Sequence, residues 1–221
     1  MATVIHCPLC SSEHTDSWWQ DTRKQMNKRP YFRCQNCALI FVPEYAHVSV
    51  AQEVAFYATH ENNPHDHRYR SFLSRTFTPV AERLETGANG LDFGCGPGPA
   101  LSLMFEEAGF PCAVYDPHFA QNSLVWQQQY DFITATEVFE HLRAPQHELE
   151  RLLRVLKPNG VLAIMTQRPL GLAEFSTWRY STDPTHICFF PEASFAWIAN
   201  HYGLRIEYVG ADVVLLRKPG R

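Results

Sequence analysis

No stretch of this 221-residue chain is apolar for long. The longest runs, such as GVLAIM at residues 160–165, fall far short of the roughly 18 residues a membrane span needs. The opening MATVIHCPLC also lacks the apolar centre of a signal peptide. A cytoplasmic location is therefore expected, with no membrane partner. Positive charge is not in excess either: 19 Lys and Arg against 23 Asp and Glu leave a net charge of −4. That balance disfavours nucleic acid as a partner without excluding it. Repeats and biased tracts are missing, and 45% hydrophobic with 19% charged residues is the composition of a folded globular chain. The length suits one main domain with a small appended module.

Seven cysteines are present, and four of them pair by spacing. CPLC supplies Cys7 and Cys10, and CQNC supplies Cys34 and Cys37, with 23 residues between the pairs. Each tight C-x-x-C turn presents two thiolates, and four thiolates complete a tetrahedral zinc site. Such a closed site leaves no position for water or substrate, so the expected Zn2+ is structural rather than catalytic. Two disulfides are the alternative. YFRC and LIFV between and after the pairs read as short strands, and residues 1–44 are read as a zinc ribbon. Cys95, Cys112 and Cys188 sit in apolar surroundings as core or lining residues.

Beyond the ribbon, Asn62-Asn63-Pro64 separates two helical stretches. Asp66 is a candidate N-cap for the second, whose apolar positions Tyr69, Phe72, Leu73, Phe77, Val80, Ala81 and Leu84 share one face, with a possible kink at Pro79. From residue 89 strands and helices alternate: GLDF, a helix to Gly109, CAVYD, YDFITAT, a helix over APQHELERLLRVLKPNG, VLAIMT, the helix PEASFAWIANHYG, then LRIEYV and DVVLLR. This order predicts an α/β fold, a doubly wound and mostly parallel sheet covered by helices on both faces.

In such a sheet the first strand–helix turn is the expected ligand site. Here it reads Gly94-Cys95-Gly96-Pro97-Gly98-Pro99. A dinucleotide fingerprint would place a third glycine where Pro99 stands, and ionised Asp92 would repel a pyrophosphate. Asp116, at the end of the next strand, can accept hydrogen bonds from ribose hydroxyls. A nucleoside joined to a zwitterion satisfies both acids. The plain alternatives are an ordinary tight β–α connection for the glycines and a helix N-cap for Asp116.

These segments resemble the class I S-adenosylmethionine-dependent methyltransferases. LDFGCGPG looks like their first motif, VYDP like their ribose-binding acid, and YDFITATEVFEHL and LKPNGVLAIMT like their fourth- and fifth-strand motifs. TEVFEHL and LKPNG are similar to the ubiquinone-biosynthesis-type subgroup. The resemblance implies S-adenosyl-L-methionine as cofactor, bound by Asp92, Gly94, Cys95, Gly96, Gly98, Asp116, Pro117, Thr136 and Glu137, with Tyr69 and Arg70 from a cap. Residues 45–88 are then a helical linker and cofactor cap, and residues 89–221 the methyltransferase domain. One departure stands out: only 13 residues separate Asp116 from Tyr130, too few for a further helix and strand. The adenine-binding acid usual in the family is missing there, leaving Asn122 or Ser123 as substitutes.

The sulfonium activates its own methyl group, so a base is needed only when the acceptor must lose a proton. His186 is the preferred base, with Asp183 or Tyr180 orienting it, and an imidazole that titrates near neutrality suits the role. His141 is its competitor. Arg70 is expected to pair with the methionine carboxylate. The acceptor is expected to be a small molecule methylated on oxygen or carbon. Two rival readings remain: an RNA methyltransferase gripping phosphates through Arg23, Lys24, Lys28, Arg29 and Arg33, and a regulatory protein that binds the cofactor without turnover. No further metal cluster is apparent, because the histidines of HENNPHDH read as a surface loop. The sequence sets no oligomeric state.

Overall fold

The computed structural model describes residues 4–23, 26–57 and 62–220. In chain order the strands and helices are β1 (Thr15–Gln20), β2 (Pro30–Cys34), β3 (Ile40–Phe41), α1 (Val50–Tyr57), α2 (His67–Ala81), β4 (Gly90–Phe93), α3 (Ala100–Glu107) and β5 (Cys112–Tyr115). They continue with β6 (Tyr130–Thr136), α4 (Pro145–Val155), β7 (Leu156–Met165), α5 (Leu172–Phe175), β8 (Cys188–Phe189), α6 (Glu192–Tyr202), β9 (Arg205–Val209) and β10 (Val213–Arg217).

The larger sheet runs β5-β4-β6-β7-β10-β9. Strands β4, β5, β6 and β7 are parallel, and β10 is antiparallel to both its neighbours. Alternation along the strands sorts side chains into two cores. Val161, Ala163 and Met165 of β7, with Val213 and Leu215 of β10, join Leu73 and Val80 of α2 and Leu101 and Phe105 of α3 on one face. Leu162, Ile164, Val214 and Leu216 face the other side, against Leu149 and Leu152 of α4 and Phe195 and Ile198 of α6. Strands covered on both faces need continuous apolar runs, which explains why β4 is buried at all four positions.

Several local signals act as expected. The Asp66 carboxylate accepts the Tyr69 N–H and starts α2, which runs on past Pro79 to Ala81. Gly203, at φ 63°, ends α6 in the left-handed conformation. The segment LKPNG behaves differently. Its helix stops at Val155, and Leu156 already pairs with Tyr130, so residues 157–160 bulge out before Val161 meets Phe132. Pro158 cannot donate to a helix, which favours this early exit. The 13 residues after Asp116 hold only a 3-10 turn, Ser123–Gln127, leaving β5 as an edge strand.

A second sheet, β1-β2-β3-β8, is antiparallel throughout. Its fourth strand comes from far along the chain, with Ile40 opposite Phe189 and Phe41 opposite Cys188. Tyr31, Phe175 and Phe189 pack edge to face at about 5 Å and fuse its core with one face of the large sheet.

Candidate functional site

At the carboxyl end of β4 the chain turns through Gly94 and Gly96, at φ 77° and 64°, a region costly for any residue with a Cβ. A Cβ on Gly94 would also lie 2.3 Å from Val138 Cγ2. The donors of this turn point inward. Gly94 N–H and Cys95 N–H reach Tyr115 O at 2.7 and 3.4 Å, Gly96 N–H reaches Asp116 Oδ2 at 3.0 Å, and Pro97 has none to offer. A phosphate-binding loop turns such groups toward its ligand. Above the turn lies a cavity of about 820 Å³, a size suited to a small-molecule site.

The cavity is lined by Glu53, Asp116, Glu137 and Asp183 against one guanidinium, Arg179. Glu53 is ion-paired with Arg143 and burial favours the protonated form of Glu137, so Asp116 and Asp183 are what favour a cationic ligand group. The Asp116 carboxylate already accepts Gly96 N–H, His118 N–H and Phe119 N–H at 2.8–3.0 Å. Of about four lone-pair positions, one remains open. It can take one ribose hydroxyl, and it also plays the turn-capping role that was its plain alternative.

The sequence-predicted cofactor residues divide. Tyr69, Gly94, Cys95, Gly96, Asp116, Pro117, Thr136 and Glu137 line the cavity, whereas Asp92, Gly98 and Arg70 do not. Arg70 turns the other way, ion-paired with Glu107 and bonded to Pro64 O, because its face of α2 packs on α3. Gly98 lies beneath Asn62, whose carbonyl oxygen would be 1.8 Å from a Cβ there. Its bareness serves the close approach of the chain rather than of a ligand. Asp92 is buried below the turn and accepts Thr134 Oγ1–H at 2.8 Å. Burial raises its carboxyl to about 6, the Thr134 bond opposing and the Asp116 charge adding.

On the far side, Glu137 holds φ 53°, an uncommon conformation for a non-glycine residue, fixed by its N–H bond to Met165 O at 2.8 Å. Tyr180 Oη stands 2.6 Å from Glu140 Oε1, 3.2 Å from Glu137 Oε2 and 3.2 Å from Thr166 Oγ1. One hydroxyl proton cannot satisfy two carboxylates. Burial pushes both carboxyls well above their ordinary range, and the charge of Glu140 raises Glu137 further. Glu140 Oε2 is buried without a hydrogen-bond partner among the described residues.

His186 Nδ1 lies 2.7 Å from Tyr180 O, and His141 Nδ1 lies 3.2 Å from Thr185 O. Carbonyls only accept, so each ring carries its proton on Nδ1 and leaves Nε2 bare. The rings meet edge to face at 4.6 Å. Ligand atoms of Glu140, His141 and His186 fall within 4.8 Å of one another, a second group of metal-ligating residue types that the sequence did not reveal. Burial, then the neighbouring His141, pulls His186 down to about 4, so its titration is not near neutrality as expected. Of the two orienting residues expected, Tyr180 is the one that meets the ring, through its main chain. Asp183 Oδ2 is 3.7 Å from His186 Nε2, and the Tyr180 hydroxyl faces the glutamates, so the Tyr180 carbonyl is what orients the ring.

Sequence reasoning missed Glu53 and Tyr57 of α1, Asn62, Phe72, His118 and Gln167, all cavity-lining. Glu53 and Tyr57 carried a signal, being four apart on one helical face, where Tyr57 Oη–H meets Glu53 Oε1 at 3.0 Å. Asn122 and Ser123 do not line the cavity. Asn122 Oδ1 instead accepts Leu124 N–H to cap the 3-10 turn.

Cys7 Sγ and Cys37 Sγ are 3.4 Å apart, Cys10 Sγ and Cys34 Sγ 3.5 Å, and all four sulfurs lie within 4.8 Å of one another. A tetrahedron of thiolates about 2.3 Å from zinc has sulfurs roughly 3.8 Å apart, so the set fits that ion. The two knuckles repeat one geometry: Ser11 N–H returns to Cys7 O and Ala38 N–H to Cys34 O, with Ser11 and Ala38 both at positive φ. The basic residues nearby are not a free cluster. Arg29 is buried against backbone carbonyls, and Arg23 pairs with buried Asp21. Lys28 and Arg33 are exposed, while Lys24, like His60 and Glu61 of the HENNPHDH segment, lies outside the described residues.

No curated protein sequence matches the chain. Among solved structures it is similar to an O-methyltransferase family protein from Burkholderia thailandensis, at 18% identity and TM-score 0.52, covering 76% of this chain and 63% of that one. It is also similar to the 1,6-didemethyltoxoflavin-N1-methyltransferase of the same organism, solved with 1,6-didemethyltoxoflavin and S-adenosylhomocysteine. That likeness has 16% identity, TM-score 0.54, and coverage of 84% and 97%. At such identities the likeness is one of fold. A family model described as a methyltransferase domain matches residues 65–209, so the span from α2 through β9 belongs to the known fold and the chain belongs to the methyltransferase-domain family.

Proposed function

We propose that this protein is an S-adenosylmethionine-dependent methyltransferase acting on a small-molecule acceptor, with a structural zinc ion held by Cys7, Cys10, Cys34 and Cys37. The observation that carries the reading is the glycine turn: the N–H groups of Gly94, Cys95 and Gly96 are committed to Tyr115 and Asp116, while acids outnumber cations in the cavity above it. That arrangement suits an adenosyl group with a cationic tail and repels a pyrophosphate. Bound S-adenosylmethionine would supply an activated methyl for an acceptor lone pair, with S-adenosylhomocysteine as the leaving group.

The residues of the chain orient and deprotonate. Asp116 offers its remaining lone pair to the ribose, and Gly94 and Gly96 let the cofactor approach the backbone. Across the cavity, the unprotonated Nε2 atoms of His186 and His141 orient an acceptor hydroxyl or acidic carbon by hydrogen bonding, which favours O- or C-methylation. Burial leaves both rings weak bases, suited to an acceptor that gives up its proton readily. Aromatic walls from Phe72, Tyr57 and Tyr180 exclude water from the displacement. The ubiquinone-type likeness of TEVFEHL is consistent with Glu137 standing on the cofactor side and His141 near the acceptor.

The test is calorimetry with S-adenosylhomocysteine and with a nicotinamide dinucleotide, followed by incubation of labelled S-adenosylmethionine with separated metabolite and RNA fractions. Binding of the first ligand alone, with label entering small molecules, is expected. Preference for the dinucleotide, or label confined to RNA, would refute the proposal.

A further inference from the structure

The loop that carries Asp183 and His186 is held from outside by the N-terminal segment. Arg29, 6% exposed, donates from Nη1 to Asp183 O at 3.0 Å and from Nη2 to Pro184 O at 3.1 Å and His186 O at 2.6 Å. Next to it, Tyr31 Oη–H reaches Ser181 O at 3.1 Å, and Arg23 reaches Ser181 Oγ at 3.0 Å. We propose that Arg29 is a positioning residue of the acceptor side: its guanidinium gathers three carbonyls of one loop, those of Asp183, Pro184 and His186, and thereby fixes where His186 and Asp183 stand in the cavity. This rests on the acceptor-side assignment made above.

Two physical points support it. A buried cation bonded to neutral carbonyls carries a desolvation cost that an apolar residue would avoid, so mere attachment of the two sheets does not require it. What a guanidinium adds is a planar, rigid fork of donors that sets the spacing of the groups it meets. His186, in turn, takes its ring orientation from Tyr180 O within the same loop. The backbone path that Arg29 fixes therefore decides where Nε2 points. The three donors of an ammonium diverge from a single atom on a flexible stem and do not reproduce that planar spacing.

The test uses the full-length, metal-loaded protein with nitrogen-15 histidine, comparing wild type, Arg29→Lys and Arg29→Ala. In wild type the His186 ring gives the signature of a single Nδ1–H form. In both variants that signature is expected to become a mixture of the two ring forms, with amide exchange at Thr185 and Ile187 faster by about tenfold or more. Added guanidinium ion should restore the single form in Arg29→Ala, and ethylammonium should not. Affinity for S-adenosylhomocysteine should stay within about twofold of wild type, because the glycine turn does not touch Arg29. An unchanged His186 signature in folded Arg29→Lys overturns the proposal, and that variant decides the matter alone if Arg29→Ala does not fold. Failure of wild type to bind S-adenosylhomocysteine would instead remove the methyltransferase reading, while the ring signature still judges Arg29.

Discussion

Asp92→Asn isolates the electrostatic cost built in beneath the glycine turn. The substitution keeps an oxygen to accept Thr134 Oγ1–H and removes the ionisation, while its new amide NH2 faces the Ser102 backbone N–H that the carboxylate accepts, a cost that does not vary with pH. In the folded protein burial raises this carboxyl from 3.8 to about 6, a difference worth roughly 3 kcal/mol. The sign follows from which state holds the proton. Below about pH 4 both folded and unfolded chains are protonated, and the site costs nothing. As pH rises toward 6 the unfolded chain releases its proton first, so wild type loses stability. Above about 6 both are ionised and the full penalty of roughly 3 kcal/mol persists, a large share of the 5–15 kcal/mol typical of a domain. Urea unfolding of both proteins from pH 4 to 7.5 should thus show the stability difference shifting in favour of Asp92→Asn by as much as ~3 kcal/mol. Two curves separated by a constant offset would refute the reasoning.

Other predictions concern packing, the buried acids and the thiols. Gly94→Ala should cost about 1–2 kcal/mol for its left-handed backbone and about 1–3 more for the clash with Val138, and Gly94→Ala/Val138→Ala should recover only the second part in thermal melts. Tyr180→Phe leaves Glu137 and Glu140 without their shared hydroxyl, so it should lower stability by about 1–3 kcal/mol and slow methyl transfer while S-adenosylhomocysteine still binds by calorimetry. Cys34→Ser should reduce bound zinc, measured by elemental analysis, and lower the melting temperature; full zinc content in this variant would contradict the four-thiolate site.

The parallel sheet was legible because β4, β6 and β7 are buried on both faces and so announce themselves as continuous apolar runs. Asp66 and Gly203 mark helix ends through side-chain and backbone chemistry that acts locally. What escaped was non-local. Nothing near Cys188 and Phe189 signals that they complete the sheet of residues 15–41, since two residues carry no period. The cavity residues were half visible: Asp116 and Glu137 follow strands, where ligand sites gather, whereas Arg70 was misplaced because helical spacing leaves open which neighbour a long side chain will reach. The unpartnered oxygen of Glu140 and the low His186 titration arise from burial, which only the assembled fold creates.

The late arrival of β8 bears on synthesis. A ribosome delivers the cysteine segment long before residues 188–189, and until then β3 presents an open edge with unpaired main-chain groups. A nascent chain halted near residue 180 should therefore have its four thiols assembled yet remain adhesive, and a helper that shields exposed strand edges would matter most during that interval.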